Sequence, residues 1–325
     1  MSAWRPSSGP AVAARRAALL ERARTYFRDT HALEVDTPAL SPAMNPDPAI
    51  ESLRAVTGDG KTLYLQTSPE FYMKRLLAAG YPDIYSICRV FRDGEAGRRH
   101  QPEFTMLEWY RLGLGLTEII DDTVRLIATC LDSRACADDV LRLDYATAMA
   151  ELAGIDVHTA SIAELAAAAG ADDRLQQAIG DDRDAWLDLV LDARVLPGFD
   201  PDRLTALTHF PASKAALARL CPADPHVADR FELFLGGQEL ANGYVELTNP
   251  DEQRRRFEAE LAIRQARGQT VGPIDACLLD ALDAGLPSCA GVALGVDRLH
   301  MVYDAANDIA DVVTFVTFVT RDRND

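Results

Sequence analysis

Five basic residues crowd one short stretch of this chain. Arg89, Arg92, Arg98, Arg99 and His100 fall within RVFRDGEAGRRH, although the formal net charge is -17. Guanidinium groups beside a turn suit a polyanion such as a nucleoside triphosphate, because their planar forks match phosphate oxygens two at a time. The residues that follow alternate with the period of a strand. Phe104, Met106, Glu108 and Tyr110 share one face, so Glu108 projects among apolar neighbours. A carboxylate there is costly unless it is paired, and a cationic ligand is one obvious partner. Arg98 and Arg99 taken alone would read as a solvated loop on an ordinary hairpin.

A second centre lies in FELFLGGQELANGYVELT, residues 231–248. Gly236-Gly237 between two apolar runs signals a hairpin. If these glycines form a two-residue turn, Phe234 faces Glu239 and Glu232 faces Ala241. Glu232 and Glu239 then become diagonal neighbours roughly 7 Å apart. Such a pair is either solvated on an exposed sheet face or held together by a cation, and oxygen-only ligation beside phosphate suits Mg²⁺. Glu246 has the opposite strand parity to Glu239. It reaches the same pocket only if the strand is bulged or broken between them, and Asn242-Gly243 is the expected place.

A third centre is CAGVALGVDRLHMVYD, residues 289–304. Gly291, Ala293 and Gly295 alternate on one face, a floor on which a ligand can lie close to the backbone. Arg298 follows where a helix begins. By itself this is equally a packed strand–helix junction with a surface salt bridge.

These centres need a scaffold. A chain of 325 residues, 48% hydrophobic and 26% charged, has the composition of a soluble globular protein. It holds no apolar run near the roughly 20 residues that span a bilayer, and no signal peptide core. Six cysteines without a C-x-x-C pair, and no H-E-x-x-H, give no zinc pattern and suit reduced thiols in the cytoplasm. Residues 1–10 read as a flexible tail, and 11–30 as a helix with Leu19, Leu20, Ala23 and Phe27 on one side. Four prolines exclude a regular element over 33–50. Ser68-Pro69-Glu70 opens a helix that runs to about Gly80. Residues 114–196 read as a helical insertion, with SIAELAAAAG capped by Thr159 or Ser161.

The first centre resembles motif 2 of the class II aminoacyl-tRNA synthetases, in the form used by the lysyl subgroup. The matching residues are Phe91-Arg92-Asp93-Gly94, His100-Gln101-Pro102-Glu103-Phe104-Thr105-Met106 and Glu108-Trp109-Tyr110. The first helix with Leu33-Glu34-Val35 and Pro38 resembles motif 1, the dimer element. The third centre resembles motif 3. The resemblance implies an α+β catalytic domain over 11–325, with an antiparallel sheet of roughly six or seven strands flanked by helices. It also implies a homodimer that uses ATP and Mg²⁺ to activate a carboxylate as an adenylate.

By the same resemblance Arg92 meets the α-phosphate and the substrate carboxylate, while Phe104 and Arg298 sandwich the adenine over Gly295. Arg99 and His100 meet the distal phosphates, and Glu232 and Glu239 hold Mg²⁺. Glu70, Glu108, Tyr110 and Glu246 match positions that bind the two ammonium groups of lysine, Asn242 a contact to its carboxylate, and Gly291 and Ala293 the floor beneath it. Two departures stand out: Gly94 replaces the motif 2 Glu, and Ala293 replaces a Gly.

Only about ten residues precede the first helix, where lysyl-tRNA synthetases carry an anticodon-binding domain. The chain is therefore most similar to the truncated lysyl-tRNA synthetase paralogues. Those activate (R)-β-lysine and transfer it to a lysine ε-amine of elongation factor P, without anticodon-dependent tRNA binding or a membrane. The alternatives are a truncated synthetase acting on tRNA, disfavoured by the acidic chain, and a non-catalytic regulatory paralogue, disfavoured by the retained Arg92, Arg298, Glu232 and Glu239. An asparagine-forming adenylating enzyme is disfavoured by the four lysine-pocket acceptors.

Overall fold

The computed structural model describes residues 4–132 and 139–316, so Cys136 lies outside the described residues; the other five cysteines are free. Eight strands form the main sheet: β1 (Leu33–Glu34), β2 (Ile84–Phe91), β3 (Glu103–Leu112), β4 (Leu141–Asp144), β5 (Leu204–Thr208), β6 (Arg230–Leu235), β7 (Gln238–Val245) and β8 (Cys289–Gly295). Their spatial order is β1-β2-β3-β8-β7-β6-β5-β4. The inner pairs are antiparallel, but β1 joins β2 and β4 joins β5 in parallel. The sheet is thus mixed and one strand larger than expected, because short strands dock on both edges. A three-stranded sheet (Leu40–Ser41, Arg54–Val56, Thr62–Leu65) and a two-stranded ribbon (Leu220–Cys221, Asp224–Ala228) lie apart from it.

Six helices matter for the site: α1 (Pro10–Asp29), α2 (Glu70–Ala78), α3 (Leu116–Cys130), α4 (Pro250–Ala266), α5 (Ala276–Gly285) and α6 (Val296–Asp304). One face of the sheet is purely structural. Trp109, Phe231, Leu233, Val292 and Leu294 pack there against Leu19, Ala23 and Phe27 of α1 and Ile119, Val124 and Ile127 of α3. Period two on the strands and 3.6 on the helices brings these residues to one side. α3 therefore belongs to the main core and not to an insertion. The separate helical unit begins after β4, at Tyr145, where Trp186, Leu187 and Val190 close a second core with Phe210 and Phe234. Ser161, rather than Thr159, caps its first long helix, in a reciprocal capping box with Glu164.

The expected tail is tied down from Ser7, whose N–H donates to the Thr314 carbonyl. The proline-rich segment is fixed from α4. Arg264, wholly buried, donates to the carbonyls of Asp47, Ile50 and Thr270 and pairs with Glu51. Asp297 joins three elements, accepting the Thr105 N–H at 3.0 Å and pairing with Arg16 of α1 at 2.6 Å. Among the described residues no helix is long and apolar enough to cross a membrane.

Candidate active site

The other face of the sheet carries a cavity of about 320 Å³. Register explains its lining. On β3, Met106, Glu108 and Tyr110 point away from Leu107 and Trp109, which are in the core. On β8, Gly291, Ala293 and Gly295 pair with Tyr110, Glu108 and Met106, so the small residues lie beside the large ones on the cavity face. The Gly236-Gly237 turn forms, with Gly236 at φ +56, and Phe234 pairs with Glu239 as expected.

Glu232, however, pairs with Asn242 and not Ala241, because the register shifts between Leu233 and Phe234. The extra residue is Leu240: both it and Ala241 are buried in the core on the structural face. Two consecutive side chains on one side mark a bulge. The bulge puts Glu239 on the same face as Asn242, Tyr244 and Glu246. A bulge was therefore required, but it sits at Leu240. Asn242-Gly243 runs on unbroken, paired with Ala293 and Val292. Gly243 is glycine for a packing reason, since a Cβ there would lie 2.6 Å from the Phe231 ring.

One end of the cavity is basic. Arg92, Arg99, His100, Phe104, Glu239, Gly295 and Arg298 line it. Arg298, in the first turn of α6, reaches Glu239 at 2.9 Å and His100 Nε2 at 2.6 Å. Burial and then the Arg298 charge hold the His100 pKa below its usual value. The Arg92 guanidinium lies 5.2 Å from the Phe104 ring centre, and its Nε is buried without a hydrogen-bond partner. Glu95 pairs with Arg92 at 3.5 Å, where the neighbouring Gly94 adopts φ +77. A left-handed turn residue explains glycine at that position.

Glu232 is not on the cavity wall. It pairs with Arg230 at 2.5 Å and accepts from Asn242 at 3.3 Å. Burial, against the pull of Arg230 and with a push from Glu239, raises its pKa to about 7. Two carboxylates with no nitrogen or thiol donor suit a hard cation that keeps other oxygen ligands. The donor chemistry therefore fits Mg²⁺ brought in with a polyphosphate.

The other end is acidic. Glu70, at the start of α2, Glu108 and Glu246 line it together with Tyr110 and Tyr244. Glu108 is 3% exposed and accepts from Ser68 Oγ at 2.7 Å and Tyr110 Oη at 2.8 Å. Glu246 is 2% exposed, and its Oε1 has no hydrogen-bond partner. Burial, then Glu70, raises the Glu108 pKa to about 8. Burial also raises Glu246 to about 8, with Lys74 opposing and Glu70 and Glu108 adding.

Sequence reasoning missed Lys74. It is 1% exposed and bridges Glu70 Oε1 at 2.7 Å and Glu246 Oε2 at 2.6 Å. Its position four residues after Glu70 on one helix was the available signal. Tyr244, which donates to Glu70 at 2.6 Å, and Arg230 were missed as well.

A Cβ at Gly291 would stand 2.5 Å from both Glu246 Oε1 and Tyr110 Cε1. Gly291→Ala should thus displace one of them and cost about 1–3 kcal/mol of stability, the usual range for overpacking. Chemical denaturation reads this; an unchanged midpoint would show that the carboxylate does not lie over the glycine.

The model of the family "tRNA synthetases class II (D, K and N)" matches residues 4–318. Three curated relatives are each named elongation factor P–(R)-β-lysine ligase. That of Yersinia enterocolitica is 43% identical over 320 residues, 97% of both chains. That of Pectobacterium atrosepticum is 41% identical over 322 residues, again 97% of both. That of Pasteurella multocida is 42% identical over 317 residues, 96% of this chain and 97% of its own.

Proposed function

Because this chain belongs to the class II tRNA synthetase family, we propose that it is an ATP-dependent ligase for elongation factor P. It activates (R)-β-lysine as an adenylate and transfers the acyl group to a lysine ε-amino group of that factor.

The observation that carries this reading is the charge distribution of one cavity. Its acidic end sets three carboxylates, Glu70, Glu108 and Glu246, against one protein ammonium, Lys74. Ionised, that end has two negative charges to spare, and a diamino acid brings two ammonium groups. Its basic end offers Arg92, Arg99, His100 and Arg298 to a triphosphate. The substrate carboxylate then lies between, near Arg92 and Asn242, and attacks the α-phosphate as pyrophosphate leaves. Arg92 would neutralise charge that builds on the α-phosphate, the main contribution a protein makes to phosphoryl and nucleotidyl transfer. Phe104 and Arg298 take the two faces of the adenine. Mg²⁺, held by Glu232 and Glu239, would screen the phosphate oxygens.

Ala293 sits on the cavity floor between Glu108 and Asn242 in register. Its methyl narrows the space beside the carboxylate end, where an α-amine would sit, and tolerates an amine shifted one carbon along. A homodimer is part of the same reading, supported by exposed Leu33 on the β1 edge and exposed Leu40 on the small sheet.

The test is parallel incubation of enzyme, ATP and labelled (R)-β-lysine with elongation factor P or with tRNA. Label is expected on the protein. Label on tRNA alone would transfer the assignment to a truncated synthetase.

A further inference from the structure

Lys74 stands behind the cavity wall: it does not line the cavity, yet it touches two of the carboxylates that do. It joins one oxygen of Glu70, on α2, to one oxygen of Glu246, just beyond β7. Its ammonium also lies 5.7 Å from the Tyr244 ring centre. Burial alone would lower its pKa, but Glu246 and Glu70 together outweigh burial and raise it, so Lys74 stays charged. The other titratable groups around this cluster are Glu108, Tyr110, Tyr244 and Cys289, with Glu260 further back and opposed by Arg256.

We infer that Lys74 is a specificity-determining positioning residue: a built-in counter-ion that cancels one of the three carboxylate charges, so that the ionised pocket has two to spare and selects substrates bearing two cationic groups. Without it, Glu70 and Glu246 face each other uncompensated. Either Glu246 holds its proton more tightly or the two side chains separate, and both outcomes spoil the ammonium site. With it, each carboxylate is held by one oxygen. At Glu246 the oxygen left over, Oε1, is buried against Gly291 without a hydrogen-bond partner, ready for a ligand. The inference deepens the functional reading above and rests on it.

The experiment compares wild type with Lys74→Ala in β-lysine-dependent ATP–pyrophosphate exchange. The variant is expected to raise KM for β-lysine about a hundredfold, the effect of uncoupling a buried charge pair, and to leave ATP affinity unchanged. Added n-propylammonium should restore KM in Lys74→Ala, whereas n-propanol should not. Equal rescue by both would reduce Lys74 to cavity filling, and an unchanged KM would overturn the inference outright.

Should Lys74→Ala fail to fold, Lys74→Met keeps the volume. Its thermal stability should fall more steeply than that of wild type as pH rises toward neutrality, because Glu70 and Glu246 must then ionise side by side. Identical curves would also overturn the inference. This comparison needs no substrate, so a wild type inactive toward every diamino acid would count against the functional reading alone.

Discussion

Arg298→Ala should abolish lysine-dependent ATP–pyrophosphate exchange, with kcat/KM falling at least about a hundredfold, as when one preorganised transition-state donor is removed. The loss follows from its position. Arg298 stands on the first turn of α6, 2.9 Å from Glu239 and 2.6 Å from His100, so it orders both the proposed adenine face and a proposed metal carboxylate. Glu239→Ala should cause a comparable loss by a different route. It frees Arg298 but removes one of the two proposed oxygen donors for the cation, so raising the Mg²⁺ concentration should recover part of the activity. No such recovery is expected for Arg298→Ala. Circular dichroism should remain native in both, because neither side chain belongs to the core. Exchange at wild-type level in both variants would remove them from the mechanism.

The second large effect concerns Glu246. Glu246→Gln keeps the shape of the side chain and deletes a charge, and should cost about 2–5 kcal/mol in kcat/KM for the diamino acid. The same carboxylate predicts a pH dependence. Glu108 and Glu246 have pKa values raised to about 8, with burial as the main cause. Below that pH the empty pocket therefore holds protons that a dicationic ligand must expel. Affinity should rise from about pH 6 to about pH 8, with proton release on binding. The stability of the empty protein carries the opposite sign. Between the ordinary carboxylate range and about pH 8 the folded state holds more protons than the unfolded chain, so the contribution of these two groups to stability falls as pH rises. Calorimetry in two buffers of different ionisation enthalpy measures the release directly. Zero release at neutral pH in wild type would mean that both groups are already ionised. Glu246→Gln should release fewer protons than wild type.

Much of this site was legible because strand parity is a local property. Once β3 and β8 are recognised, Glu108, Tyr110, Gly291 and Ala293 must share a face, and they do. The Gly-Gly turn also fixed the pairing of Phe234 with Glu239. Parity failed one step later, since a bulge inserts a residue without a composition signal. Leu240 and Ala241 read as ordinary strand residues, and only their shared burial shows the slip. The edge strand β4 was hidden in a stretch otherwise dominated by helix. Lys74 was hidden for a different reason. A lysine on an amphipathic helix is ordinarily solvated, and nothing in the sequence announces that the far end of another strand will deliver Glu246 to it. Buried charge pairs are made by tertiary structure, so local patterns find one partner at most.

The paired burial of Lys74 has a consequence for the safety of the chemistry. An enzyme that hands an activated acyl group to an amine must not acylate itself. Only uncharged amines are nucleophilic, and arginine does not lose its proton in proteins. Of the 33 lysine and arginine residues in this chain only Lys61, Lys74 and Lys214 are lysines. Lys61 pairs with Asp59 at 2.7 Å on a turn between strands of the small sheet, and Lys214 with Asp188 at 2.6 Å. Lys74, which touches two of the cavity's own carboxylates, is held as ammonium by Glu70 and Glu246. The two glutamates proposed to receive a foreign amine thereby keep the pocket's own amine inert, and leave the incoming lysine of the acceptor as the nucleophile the adenylate meets.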